Sequence, residues 1–199
     1  VQFLQFALRY SPLEAGLAIL PWTLAPMFVA PVAGALSDRI GGGILMGAGL
    51  SLQAVGLAWL GLISSTTVEY AAMVAPFIVS GVGMGLFFAP MANVLLSSVR
   101  RDQEGKASGA SGAIRELGGV FGVAVLAAIF AREGSYQSPQ AFLDGMVPAV
   151  LVGALVVALG AAIAFAIPRR EHSRTDALVP RPAISGEGEP APVYATIDD

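Results

Sequence analysis

The sequence predicts an all-α membrane protein, a polytopic bundle of helices. Three observations predict it. Only 13% of the 199 residues are charged, about half the ~25% of an ordinary globular chain. The mean hydropathy is +0.72. Long stretches such as Gly16–Leu36 and Ile44–Thr67 carry no charge at all, and about 20 residues of helix cross a ~30 Å hydrocarbon core. Inside lipid only helices and closed barrels satisfy the backbone. Barrel strands alternate over about 10 residues, and these runs are longer and continuous.

Composition also narrows the chemistry. A net charge of -3 offers no basic surface to nucleic acid. There is no cysteine, hence no disulfide and no thiolate metal site. The single histidine, His172, lies in a polar tail. The lipid bilayer is the partner that composition itself implies.

The elements follow in order. Val1–Leu8, "VQFLQFAL", reads as the exit of a preceding span in a longer protein. Within residues 9–168, five spans are expected at about 14–36, 44–63, 71–96, 107–130 and 146–167. The segment Glu133–Gly145 has room for a short interfacial helix. Residues 169–199 hold prolines and charges of both signs without an apolar period, which predicts a disordered tail.

Basic residues set the expected orientation. Arg39, Arg100, Arg101, Lys106, Arg169, Arg170 and Arg174 fall on one side, and only Arg9 and Arg132 on the other. Seven against two places the first group, and the C-terminus, in the cytoplasm of a cell-membrane protein.

Helix-disturbing residues are frequent. The first span contains Pro21, Pro26 and Pro31, and the third contains Pro76, Gly81, Gly83, Gly85 and Pro90. Gly43/Gly47, Gly81/Gly85, Ser108/Gly112 and Gly118/Gly122 are small residues four apart, which let helices approach closely. Gly119 joins Gly112, Gly118 and Gly122 on a glycine-rich face of the fourth span. Packing alone explains such residues; packing combined with hinged, rocking helices is the functional reading.

The shortest gap between spans is "GALSDRIGG", Gly34–Gly42. It predicts a tight helix hairpin. Gly34 would let the two helices close, and Gly41–Gly43 would allow a positive-φ turn. Asp38 would cap the second helix at the positive end of its dipole. Arg39 would offer a two-pronged donor to an acid or a lipid phosphate. A solvated turn with one positive-inside charge explains the same residues.

The stretch Gly34, Leu36, Asp38, Arg39 and Gly41 resembles the G-x-L-x-D-R-x-G loop of the major facilitator superfamily. Gly42 and Gly43 stand where a basic pair often follows. "YSPLEAGLAILP", "GVGMGLFFAPMANVLL", "GKASGASGAIRELGGVFGVAVLAAIF" and "SPQAFLDGM" resemble, in order, segments of its fourteen-span drug:proton antiporter branch. The resemblance covers about Val1–Arg170. It implies the C-terminal half of that fold, lacking most of its first helix. It further implies export of drugs or other small hydrophobic compounds by alternating access. The energy source would be a proton gradient, with no cofactor. The implied partners are the missing N-terminal half and a small-molecule substrate.

Other chemistry is weaker. "GASG", Gly109–Gly112, matches an intramembrane serine-protease phrase, but no histidine base falls in any span. "GVGMG" lacks the preceding strand of a dinucleotide site. No acids in the tail show metal-ligand spacing. Polar residues within spans are costly and therefore informative: Gln53, Asn93, Arg115 and Glu116. Gln53 and Asn93 either line a cavity or bond between helices. Trp22, Phe77, Phe87 and Phe88 either stack on an aromatic substrate or face lipid and neighbouring helices. Adjacent helical positions point about 100° apart, so Arg115 and Glu116 each require a partner of their own. Arg115 either reaches the interface or latches to the other half. Transport is thus the first expectation. The alternative is a truncated, non-transporting membrane module or scaffold.

Overall fold

The computed structural model describes residues 1–97 and 99–166. The tail expected over residues 169–199 lies outside these. The described elements are helical throughout. A π-helical segment, Phe3–Ala7, leads into α1 (Pro12–Ala18), α2 (Leu20–Ile40), α3 (Gly42–Ile63) and α4 (Tyr70–Ser97). A 3-10 turn, Arg101–Gln103, precedes α5 (Glu104–Glu133) and α6 (Pro139–Ala166). Among the described residues, five helical stretches are long and apolar enough to cross a membrane: Pro12–Ser37, Gly42–Ile63, Tyr70–Leu95, Glu104–Glu133 and Pro139–Ala166.

The first stretch is two helices. It breaks at Ile19, and Pro21 opens α2 in its first turn, where a missing N–H costs nothing. Thr23 Oγ1 donates to the Leu20 carbonyl at 3.2 Å. Pro26 and Pro31 lie inside α2, which continues through them.

α4 packs along both α2 and α3. α3 packs on α6, and α5 rests mainly on α6. The helices therefore follow the order α2–α4–α3–α6–α5, with α2 and α5 at the edges. An apolar core gathers at one end, from Leu4, Ala15, Ala18, Met73, Phe77, Phe142 and Leu143. Leu4 is only 1% exposed. Beside it Phe6, Phe130, Tyr136 and Phe142 form an aromatic cluster with ring centroids 5.1–5.6 Å apart.

Glu133–Gly145 holds no separate interfacial helix. α5 runs to Glu133 and α6 already begins at Pro139. Ser138 sets that start, its Oγ accepting from Ala141 N at 3.1 Å. Gly134 and Gly145 then meet so closely that a methyl on either would lie 2.7 Å or less from the other's Cα.

Candidate functional site

The Gly34–Gly42 segment lies at the opposite end of the bundle from the apolar core. Its turn is tighter than the sequence suggests. α2 continues through Asp38 and Arg39 to Ile40, and α3 starts at Gly42. One residue, Gly41, makes the reversal, with φ 99 and ψ 132. Only glycine takes that backbone readily. Gly42 and Gly43 are helical. Asp38 therefore belongs to the last turn of α2 and not to the start of α3, whose cap residue is Gly41. Arg39 also sits in that last turn and is exposed, where a cation suits the negative end of the helix dipole.

The close approach at this end is made by Gly42, not Gly34. A methyl on Gly42 would collide with Val94 Cγ2, while Pro90 lies 3.9 Å away. At Gly34 a methyl would meet only Asn93 Nδ2, at 3.9 Å. The tip of α4, with Pro90, Asn93 and Val94, is thus the neighbour of the hairpin. Asn93 is exposed there.

Gly42, Gly49 and Gly56 recur every seven residues and all face α4. Opposite them stand Pro90 and Val94, then Gly83 and Phe87, then Pro76 and Ser80. A seven-residue repeat keeps one seam facing the partner helix. At the middle level a methyl on Gly83 would sit 2.5 Å from the Gly49 carbonyl oxygen and 2.6 Å from Gln53 N. Gln53 is therefore at the α3–α4 contact and is half-buried. Gly81 and Gly85 face the other way, against α2. A methyl on Gly81 would lie 2.5 Å from the Trp22 carbonyl oxygen, and one on Gly85 would lie 2.9 Å from Val29 Cβ and 3.1 Å from Pro26 Cα. α4 is thus gripped on two sides by glycine contacts. Pro76 and Pro90 are fully buried in it.

The aromatic candidates separate. Phe77 is buried in the apolar core. Phe87 and Phe88 meet edge to face, 5.2 Å between centroids. Trp22 is half-buried, and among the described residues its Nε1 is buried without a hydrogen-bond partner.

α5 differs from the other helices, for none of its residues is buried. Methyls on Gly109, Gly112, Gly118, Gly119 and Gly122 would meet nothing within 4 Å. Arg115 and Glu116 do pair, Nη2 to Oε1 at 3.6 Å, with side chains 64% and 79% exposed. The expectation that neighbours in sequence cannot pair therefore fails. Their Cα–Cβ directions diverge, but the long arginine stem swings across when nothing packs on it. The distance is that of an ion pair, too long for a good hydrogen bond. The described residues include no group of three metal-ligating side chains.

A multi-pass helical membrane unit carrying the G-x-L-x-D-R-x-G hairpin is the class these features define. The chain belongs to the major facilitator superfamily, whose sequence profile matches residues 1–193. The uncharacterized transporter YebQ of Escherichia coli K12 is 34% identical over 149 residues, 75% of this chain and 32% of that protein. The multidrug resistance protein Stp of Mycobacterium tuberculosis is 36% identical over 130 residues, 65% of this chain and 24% of that protein. The multidrug efflux pump LfrA of Mycolicibacterium smegmatis is 33% identical over 165 residues, 83% of this chain and 32% of that protein. The chain spans a third or less of the length of these relatives.

Proposed function

We propose that the chain is part of a secondary transporter that exports drugs or other small hydrophobic compounds by alternating access, driven by a proton gradient and using no cofactor. One observation carries the reading. α5 holds an ion pair and an uncovered glycine face within an apolar, span-length helix. Charges inside a bilayer are expensive and face protein or a water-filled path. The side of α5 that α6 leaves open is therefore where the N-terminal half of the transporter and the substrate path would lie. Small residues there permit a close approach to the opposing half. α2, α3 and α4, locked by glycine contacts, would move as one body, and the Gly41 hairpin would sit at its cytoplasmic end. Relatives named for multidrug resistance and efflux support the substrate class.

Cysteines on α5 test this in the full-length protein. A cysteine at Gly122 should react with a water-soluble maleimide, and substrate should slow the reaction severalfold. A cysteine at the exposed Val156 of α6 should react with neither outcome. Equal inertness of both positions would leave α5 facing lipid and remove the basis of the reading.

A further inference from the structure

A cleft of about 490 Å³ opens at the end of the bundle away from the hairpin, lined by Tyr10, Glu14, Leu17, Ala18 and Tyr70. Its size falls in the range of about 300–1,000 Å³ that takes small organic molecules. We propose that this cleft binds the ammonium group of an organic cation, with Glu14 as counter-charge and the rings of Tyr10 and Tyr70 as walls.

Each wall is fixed before a ligand arrives. Ser11 N donates to Glu14 Oε2 at 2.8 Å, and Glu14 N donates back to Ser11 Oγ at 3.3 Å. This reciprocal cap holds the carboxylate and leaves its second oxygen available. Tyr70 Oη donates to the Ala18 carbonyl at 3.2 Å, across the floor of the cleft. Tyr10 N donates to the Leu4 carbonyl at 3.0 Å. Just before it Arg9 takes the left-handed backbone, φ 61, which turns the chain from the π-helical segment into Ser11–Pro12. Walls held this way lose little freedom on binding.

The chemistry selects the ligand class. Among the described residues Glu14 has no ion-pair partner, so the cleft offers an uncompensated negative charge. An anion would be repelled, and a neutral apolar group would desolvate the carboxylate without pairing it. Tyrosine rings attract alkylated ammonium groups through their π-faces, and Leu17 and Ala18 contact the attached carbons. The ammonium group belongs to a free organic cation or to a lipid headgroup at the membrane–water boundary, where tyrosines concentrate. Binding here is separate from transport, so a protein that binds without transporting still satisfies the proposal.

The test is a titration of benzyltrimethylammonium into the full-length protein in phosphatidylglycerol nanodiscs. Saturable binding is expected, weakened at least tenfold in Glu14→Gln. Glutamine serves the same cap as glutamate, so this variant keeps its fold, as an unchanged melting temperature would verify. Tyr70→Phe should weaken binding less than Tyr70→Ala. Discs containing phosphatidylethanolamine separate the sources: a raised apparent Kd assigns the cleft to the lipid headgroup, and an unchanged one to the free cation. No binding by the wild type, or equal affinity in Glu14→Gln, overturns the proposal.

Discussion

Gly49 of α3 and Gly83 of α4 meet backbone to backbone. A methyl on Gly49 would lie 2.6 Å from the Gly83 carbonyl oxygen, and one on Gly83 would lie 2.5 Å from that of Gly49. Backbone cannot yield as a flexible side chain does, so any larger residue must part the helices. Gly83→Leu should destabilise the full-length protein by about 1–3 kcal/mol or more, the usual penalty of overpacking. Gly105→Ala is the control, since a methyl there meets nothing within 4 Å. It should leave the melting temperature nearly unchanged, because Gly105 lies in the first turn of α5 and not in its interior. Thermal melting in detergent measures both.

The hairpin rests on one backbone conformation. Gly41→Ala must place a side chain at φ 99, a strain of about 1–3 kcal/mol. Melting should fall accordingly, while Gly153→Ala, inside α6 where a methyl would meet only Leu126 Cδ2 at 3.7 Å, should not lower it. Equal effects would mean the turn does not depend on Gly41.

Asp38 lies in the last turn of α2, in the motif hairpin. Asp38→Asn in the full-length protein should lower efflux partially at normal membrane abundance. Unchanged export at equal abundance would reduce Asp38 to a solvated turn residue.

Arg115 combines a charge with a planar donor fork. Arg115→Lys keeps the charge and the reach but loses the fork. Efflux should fall severalfold at normal abundance if Arg115 latches to the opposing half. Full activity of the lysine variant would assign Arg115 to the interface, its head reaching water past its apolar stem.

Orientation is testable by cysteine labelling in intact cells expressing the full-length protein. Cysteines at Thr66 and Ser138, both exposed, should react with an impermeant maleimide, and one at Gln103 should not. Ser37 is unsuitable despite its place in the hairpin, because it is only 7% exposed. The reverse pattern would invert the topology.

Much of this architecture was legible in the sequence, for definite reasons. Unbroken apolar runs announce spans, and the five expected ranges coincide with helices to within a few residues at most ends. The exceptions were local. Pro21, one of the helix-disturbing residues of the first span, sits where a helix tolerates proline best, in the first turn of α2. The sequence puts Asp38 at the head of the second helix and Gly41–Gly43 in the turn, but only Gly41 leaves the helix. The seven-residue spacing of Gly42, Gly49 and Gly56 was visible as a pattern, while its partner face on α4 was not. Which helix faces which is a tertiary fact, since the few polar residues of these spans do not mark out the faces that pack. The cleft at Tyr10, Glu14 and Tyr70 joins residues far apart in sequence, and only the Ser11–Glu14 cap within it was readable as a motif.

The most direct measurement is transport by the purified full-length protein in sealed liposomes, with ethidium as probe and an imposed pH gradient. Ethidium should move against its concentration gradient while the pH gradient lasts, and a protonophore should abolish the movement. Correctly inserted protein that leaves ethidium and a panel of other hydrophobic drugs at equilibrium, or whose transport ignores the protonophore, would contradict proton-driven export.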